Sequence, residues 1–169
     1  NDYNEVINNG ILDYVKSLKE QNIIKHLGFS SHTPSICNKL LDLGIFDIFL
    51  FSLNPAYDYE LGDDYGKGSI KERLNLLKRS VNEDVAISVM KPYFGGQLLS
   101  KEHSPFGEAL SVVKCLQYAI DRPCVIAVCP GVSSMDELDE VLKYFSSTVE
   151  DKDYSVISSF KKTKLLNTC

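Results

Sequence analysis

The sequence predicts an α/β fold in which four parallel β-strands alternate with helices. Four short apolar segments, at residues 23–28, 46–51, 84–90 and 124–128, have the length and composition of strands buried in a sheet. Longer segments with apolar residues at helical spacing lie between them. A chain in which every pair of successive strands is separated by a helix is typical of a parallel sheet.

The N-terminal half of the chain contains two predicted helices. Apolar positions recur at helical spacing over residues 3–21, and Gly10 weakens this first helix modestly. The strand that begins at residue 23 runs into a loop. The second helix starts at Thr33 and Pro34, an N-cap residue followed by proline at the first helical position, and it ends near Gly44.

The C-terminal half repeats this alternation. Three more helices are predicted from the serines that precede them: after Ser69, over residues 106–120 following Ser104, and after Ser134. A glutamate three residues beyond Ser69 and Ser134 completes a capping box in each case, with Glu72 and Glu137 as the partners. We therefore expect an α/β unit over residues 1–148, followed by a helical tail over residues 149–169.

The composition argues against several classes of protein. With 169 residues, 44% of them hydrophobic, the chain is large enough for one domain with a real core. Its net charge of −5 disfavours a nucleic acid or an anionic membrane as partner, since both require clustered Lys and Arg. No apolar run approaches the about 20 residues that span a bilayer, and the first residues lack signal-peptide features. A cytoplasmic location is expected.

The cysteines predict reduced thiols. They are five in number, an odd count, and no two form a Cys-x-x-Cys pair. A disulfide framework or a complete zinc site is therefore not expected, and no metal site is predicted.

Two architectures satisfy the element order, an open doubly wound sheet and one half of an eight-stranded (β/α)8 barrel. In both, the working residues lie just beyond the C-terminal ends of the strands. The four loops at these positions offer hydroxyls, an amide, a lysine and backbone N–H groups. They contain no paired carboxylates, no nucleophile elbow and no P-loop. Such groups suit holding an amide and a phosphate better than attacking a bond.

Four segments of the chain resemble the aldo/keto reductase family. They occur in the family's order and spacing and cover most of residues 23–145: "IIKHLGFSSH", "FDIFLFSLNPAYD", "VAISVMKPYFGGQLL" and "YAIDRPCVIAVCPGVSSMDELDEVL". They match the family's barrel strands five to eight. The resemblance implies that the chain is the C-terminal half of a (β/α)8 TIM barrel, with four parallel strands and flanking helices.

The resemblance implies that this half binds a nicotinamide cofactor. Ser30 and Ser31 match the family's pair that bonds the nicotinamide carboxamide, and Asn54 matches the amide residue that completes that grip. Met90 stands where many members have a tyrosine that stacks on the nicotinamide ring. A polarizable thioether can also pack on a ring face.

Two later loops match those with which the family binds the phosphates and the adenosine of the cofactor. Their matching residues are Lys91, Pro92, Gly95, Gly96, Gly131, Ser133 and Ser134. Glu137 falls where NADP-preferring members usually have arginine. A carboxylate repels a 2′-phosphate and can accept a bond from a ribose hydroxyl, which favours NAD slightly over NADP. Val141 replaces a usual asparagine, so the adenine contact differs from the family pattern.

The parent protein is accordingly expected to be an NAD(P)-dependent oxidoreductase that transfers a hydride between the nicotinamide and the carbonyl or alcohol carbon of a small substrate. The family's catalytic Asp, Tyr, Lys and His belong to the first four strands, which have no match here. The chain alone is therefore expected to be inactive. Cys169 ends a tail that resembles the approach to the iron–sulfur segment of some members, and a chance terminal cysteine is the alternative.

Other interpretations remain open at this point. The chain can be a non-enzymatic half-barrel module that binds a phosphate or a nucleotide through its glycine loops. A doubly wound hydrolase or phosphatase is a further alternative, although its nucleophile motif is missing. Purely structural roles, in turns, caps and solvated loops, exist for every candidate residue. A half barrel also leaves two sheet edges and an inner face uncovered, which predicts that a second copy or the missing half covers them.

Overall fold

The computed structural model describes residues 2–59 and 66–158 of the chain. Four strands form one parallel sheet in the order β1-β2-β3-β4, with the bounds Gly28–Ser31, Ile48–Ser52, Ala86–Met90 and Val125–Cys129. This sequential order has no point at which the strand order reverses, as it does in a doubly wound sheet. The predicted partial (β/α) barrel is therefore confirmed.

The helices precede, connect and follow these strands. Their bounds are α1 Asp2–Asn8, α2 Ile11–Glu20, α3 Pro34–Leu41, α4 Pro55–Asp58, α5 Ile70–Asn82, α6 Val112–Ile120, α7 Met135–Leu142 and α8 Val149–Lys152. Two short 3-10 helices, Gln97–Leu99 and Lys143–Ser146, lie in the connections. Within the described part of the chain, no helix has the length and apolar character needed to cross a membrane.

One face of the sheet is packed beneath the helices. Its inward residues are at most 1% exposed and share a core with α3, α5 and α6: Phe49, Phe51, Ile87 and Val89. The register aligns a second row on the opposite face, made of Ser30, Leu50, Ser88 and Ala127. All four of these residues are at least partly exposed. In a closed barrel this open face is the interior.

A smaller cluster joins the N-terminal helices to the rest of the molecule. Leu12 of α2, Leu40 of α3 and Phe46 are its buried members. At the other end of the described chain, Ile157 is 1% exposed and belongs to the main core. The tail up to residue 158 therefore packs against the sheet-and-helix unit.

The prediction for the first strand was wrong, because β1 begins where the predicted strand ends. Ile23 and Ile24 donate their N–H groups back to the Leu18 carbonyl, so they close the end of α2. Asp47 then sets the register. Its carboxylate accepts from the Leu27 N–H at 2.8 Å and its own N–H donates to the Leu27 carbonyl at 2.8 Å. Strand pairing starts one residue later, and Gly28 is needed there because a Cβ would lie 2.9 Å from the Ile48 side chain.

Two helix predictions also needed correction. The helix predicted over residues 3–21 is split into α1 and α2, since Gly10 adopts the left-handed conformation with φ +79°. The helix predicted over residues 106–120 starts only at Val112. Ser111 is its N-cap and accepts from the Lys114 N–H at 3.2 Å. The predicted capping box of Ser69 and Glu72 is confirmed at the start of α5.

Acid should destabilise the protein through carboxylates that accept hydrogen bonds in the folded state. Hydrogen bonds hold the pKa of five carboxyl groups below their ordinary values of 3.8 for Asp and 4.5 for Glu: Asp47, Glu72, Glu137, Asp151 and Asp153. A carboxyl whose pKa is depressed by folding stabilises the fold above its unfolded pKa, and this stabilisation is lost as the pH falls through the folded value.

We therefore expect the urea midpoint to be constant from about pH 7 to about pH 5 and to fall steadily below about pH 4.5. Asp47→Asn should make the fall shallower, because the first cause of its low pKa is the hydrogen bond from Lys19. A midpoint that rises on acidification would contradict this assignment.

Candidate functional site

A cleft of about 720 Å³ lies beyond the C-terminal ends of β3 and β4. Eight of the twelve predicted site residues line it: Met90, Lys91, Pro92, Gly95, Gly96, Gly131, Ser133 and Glu137. Its walls are the loop after β3, the loop after β4 and the first turns of α7. The volume is within the range of about 300–1,000 Å³ that is usual for sites that bind small molecules.

The loop after β3 is held in an unusual backbone conformation. Lys91, Phe94, Gly95 and Gly96 have φ angles of 61°, 53°, 64° and 87°. Two glycines adopt such angles at no steric cost, whereas a lysine and a phenylalanine do not. The Asn54 side chain fastens the loop, since its Nδ2 donates to the Lys91 carbonyl at 2.8 Å.

The start of α7 differs in one bond from the predicted capping box. Ser134 is the N-cap and its Oγ accepts from the Glu137 N–H at 3.2 Å, as predicted. The Glu137 carboxylate, however, accepts from the N–H of Ser133 at 2.6 Å and from the Ser133 hydroxyl at 2.8 Å. These bonds, the backbone one first, hold the pKa of Glu137 below its usual range. Glu137 is therefore ionised at neutral pH.

The charges of the cleft are mixed. Among the described residues that line it, Lys91 is the only cation, while Glu137 and Glu140 are both anionic. Glu140 also forms an ion pair with Lys143. The remaining wall is largely apolar, with Leu99, Val112 and Val141 as aliphatic members. Such a surface can hold a ligand that combines apolar area, hydroxyl groups and limited negative charge.

The cleft lining also contains a thiol, of Cys129, and a phenol, of Tyr93. Cys129 is exposed and its Sγ lies 3.4 Å from the Ser88 hydroxyl, on the open face of the sheet. The Tyr93 phenol is buried, and burial raises its pKa well above the usual range. In residues 2–59 and 66–158, no cluster of three or more His, Cys, Asp or Glu residues is placed to hold a metal ion.

Four predicted site residues lie outside the lining of the cleft. Ser30 is exposed on the open face, and the Ser31 hydroxyl accepts from the Thr33 N–H at 3.1 Å. Asn54 is 1% exposed. Its Oδ1 accepts from the Tyr57 N–H at 3.0 Å, so this amide caps α4 as well as fastening the β3 loop. Ser134 serves as the cap of α7. Ser30, Ser31 and Asn54 thus do not line the cleft, although Asn54 bonds the carbonyl of Lys91, which does.

Seven lining residues were not among the twelve predicted site residues: Tyr93, Leu99, Val112, Cys129, Val132, Glu140 and Val141. Glu140 could have been predicted from the sequence, because it lies three residues after Glu137 and therefore on the same face of α7. Leu99 and Tyr93 lie within the segment "VAISVMKPYFGGQLL", which resembles the aldo/keto reductase family. Val112 belongs to α6, and no local pattern indicated that this helix would reach the cleft.

Cys169, on which the iron–sulfur hypothesis depends, lies outside the described residues.

Comparison with known proteins supports the fold. No protein-family model and no curated protein matches the chain. Among solved structures, aldo-keto reductase AKR11C1 from Bacillus halodurans is similar in its holo form, with a TM-score of 0.60, and in its apo form, with a TM-score of 0.59. The identity is 19% in both cases, over 86% of this chain and 53% or 54% of that chain.

The chain therefore spans about half the length of the structures that it matches. At this level of identity the likeness concerns the fold. It agrees with the sequential parallel sheet and with the order of the four sequence segments. The chain has the fold of about half of an aldo-keto reductase, a partial (β/α)8 barrel with an open inner face.

Proposed function

We propose that the chain is the cofactor-binding half of an NAD(P)-dependent oxidoreductase that reduces a carbonyl or oxidises an alcohol. The observation that carries this proposal is the cleft beyond β3 and β4, which gathers eight of the twelve residues expected to hold the cofactor. The similarity in fold to an aldo-keto reductase supports it. The cofactor, when bound, supplies or accepts the hydride, and the protein positions it.

The lining fits the phosphate and adenosine parts of a dinucleotide best. Lys91 supplies a cation next to a loop whose backbone bends sharply at two glycines, as the approach to a pyrophosphate requires. Glu137 and Glu140 can accept bonds from ribose hydroxyls. Met90 offers a thioether to a flat ring at the end of β3. Ser30 and Asn54 do not line the cleft. The hydrogen bonds to the nicotinamide carboxamide that the resemblance implies for them therefore have less support.

We propose that the catalytic groups of the reaction belong to residues outside this chain. A general acid has to lie within hydrogen-bond reach of the reacting oxygen. No residue of this chain matches the family's catalytic Asp, Tyr, Lys or His. We accordingly propose that the open edges of the sheet are covered in the active protein by four further strand–helix units, or by a second copy of the chain. The exposed apolar side chain of Ile126 on β4, the last strand of the sheet, agrees with this proposal.

Titration with NADH tests the proposed cofactor site. We expect the chain to bind NADH saturably, with a change in nicotinamide fluorescence, and to oxidise none of it when aldehydes are added. Lys91→Met should weaken binding by about threefold to tenfold, because one charge-assisted contact with a phosphate is lost. Lys101→Met is the matched control, since Lys101 is exposed and pairs with Glu108 away from the cleft lining.

Failure of NADH to bind, together with saturable binding of inorganic phosphate or ADP, would favour the non-enzymatic nucleotide-binding module. Turnover of NADH with an aldehyde would show that catalytic groups lie within this chain, against the proposal.

A further inference from the structure

Asn54 makes two hydrogen bonds that connect separate parts of the molecule. Its Oδ1 accepts from the Tyr57 N–H at 3.0 Å and thereby caps α4. Its Nδ2 donates to the Lys91 carbonyl at 2.8 Å, across a sequence separation of 37 residues. The side chain is 1% exposed, so both bonds are shielded from competing water.

Lys91, whose carbonyl accepts the second bond, adopts a backbone conformation that is unfavourable for a lysine. Lys91 has φ 61°, in the left-handed region that disfavours side chains with a Cβ. Such a conformation persists only where surrounding contacts hold it in place. The Lys91 carbonyl accepts hydrogen bonds from the Asn54 amide at 2.8 Å and from the Phe94 N–H at 3.1 Å.

The position of Lys91 matters because it is the cationic residue among the described residues that line the cleft. Rotation of its backbone to a negative φ would redirect the side chain and the glycines that follow. A hydrogen bond that selects the left-handed state therefore selects the arrangement of the cleft wall.

We propose that Asn54 is a positioning residue: its amide holds Lys91 in the left-handed conformation in which Lys91 presents its charge to an anionic ligand in the cleft. This differs from the direct cofactor contact that the sequence resemblance implied for Asn54. The inference rests on the proposed function for the identity of the ligand. The hydrogen bond between Asn54 and Lys91 stands independently of it.

Asn54→Ser separates the two bonds of the amide. Serine is as good an N-cap as asparagine, so the bond from Tyr57 and the start of α4 should be retained. A serine hydroxyl is too short to reach the Lys91 carbonyl. Asn38→Ser is the matched control, because Asn38 lies on α3 and bonds Arg79 away from the cleft lining. The remaining variants are Lys91→Met and the double variant Asn54→Ser/Lys91→Met.

The first readout needs no ligand. We expect Asn54→Ser to speed hydrogen exchange at the Phe94 amide by about tenfold, because the Lys91 carbonyl that accepts it is no longer held. Exchange at the Tyr57 amide should stay within about twofold of the unmodified chain, which shows that α4 is still capped. Unchanged exchange at Phe94 would overturn the proposal, and so would equal loss of protection at both amides.

The second readout is the dissociation constant for NADH and its dependence on NaCl concentration. Asn54→Ser and Lys91→Met should each weaken binding by about threefold to tenfold and reduce the salt dependence to the same extent. The double variant should bind as Lys91→Met does, since Asn54 acts through Lys91. Additive losses, or a salt dependence that Asn54→Ser leaves unchanged, would overturn the positioning role. If the unmodified chain binds no NADH, the proposed function fails, and the exchange at Phe94 still decides whether Asn54 holds Lys91.

Discussion

Replacing Arg73 with leucine should lower the free energy of unfolding by about 3–5 kcal/mol, because the substitution leaves the largely buried Asp58 carboxylate without its cationic partner. Arg73 is 2% exposed. Its Nη2 donates to the Ser52 carbonyl at 2.7 Å and its Nε donates to Asp58 at 3.1 Å. The guanidinium also lies 4.8 Å from the centre of the Phe51 ring. Total stabilities of natural domains are about 5–15 kcal/mol, so this is a large fraction.

The arginine belongs to a buried network that extends to α6. Asp58 accepts a second bond from the Tyr118 hydroxyl at 2.7 Å. Burial, and then the neighbouring Asp58 carboxylate, raise the pKa of Tyr118 far above the usual value. Tyr118→Phe removes one donor and leaves the arginine in place. It should therefore cost only about 1–2 kcal/mol.

Urea unfolding of the unmodified chain and the two variants measures these differences. Lys101→Ala is the control for a surface ion pair, with both side chains more than half exposed, and should change stability by less than about 1 kcal/mol. Arg73→Lys is not a conservative change, since lysine lacks the planar fork of separate nitrogens with which Arg73 bonds Ser52 and Asp58. A loss below about 1 kcal/mol for Arg73→Leu would mean that the network relaxes or that water replaces the arginine.

The Arg73 network also supports the candidate site. Ser52 ends β2 and Asn54 follows two residues later, so the guanidinium fastens the strand end from which the Asn54 amide reaches Lys91. Nothing in the local sequence around Arg73 indicates that it is buried. An arginine on a helix that carries several charged residues is normally solvated, and only the tertiary contacts with residues far along the chain reveal its role.

Features set by neighbouring residues could be predicted from the sequence. The capping box of Ser69 and Glu72 depends on residues three apart, and the structure has it as expected. The sequential parallel order follows from the alternation of strands and helices with the resemblance to a barrel family. A prediction failed where a residue far along the chain determines the bounds of an element. The start of β1 depends on Asp47, about 20 positions beyond the predicted strand. The break at Gly10 is a separate case, because this local residue adopts the left-handed conformation inside a helical pattern that continues across it.

In the candidate site, too, the features set by local sequence could be predicted and those set by distant residues could not. The loops after β3 and β4 were predicted, because strand ends in a parallel sheet bring their loops together. The use of the Asn54 amide inside the protein could not be predicted, since its partner lies 37 residues away. Glu137 was expected to bond the Ser134 N–H. The carboxylate lies instead on Ser133, one residue outside the helix, because the Ser133 N–H and hydroxyl offer it two donors together.

The position of this carboxylate leads to a prediction about cofactor choice. Glu137 lines the cleft, is ionised at neutral pH and is fixed by Ser133 at the start of α7. If the adenosine end of the cofactor lies there, a 2′-phosphate meets like charge, whereas a free ribose hydroxyl can donate to the carboxylate. The unmodified chain should bind NADH at least as tightly as NADPH.

Glu137→Arg should shift this preference toward NADPH by about tenfold or more, since it removes the repulsion and supplies a guanidinium that can bond the phosphate bidentately. Glu137→Gln separates the two effects. Its amide oxygen can still accept from Ser133, so the loop keeps its bond while the charge is lost, and NADPH should gain a few fold. Titrating both cofactors against the three proteins decides the matter, with urea midpoints to show that each variant is folded. A strong preference for NADPH in the unmodified chain, unaltered by either substitution, would mean that Glu137 serves only to close the Ser133 turn.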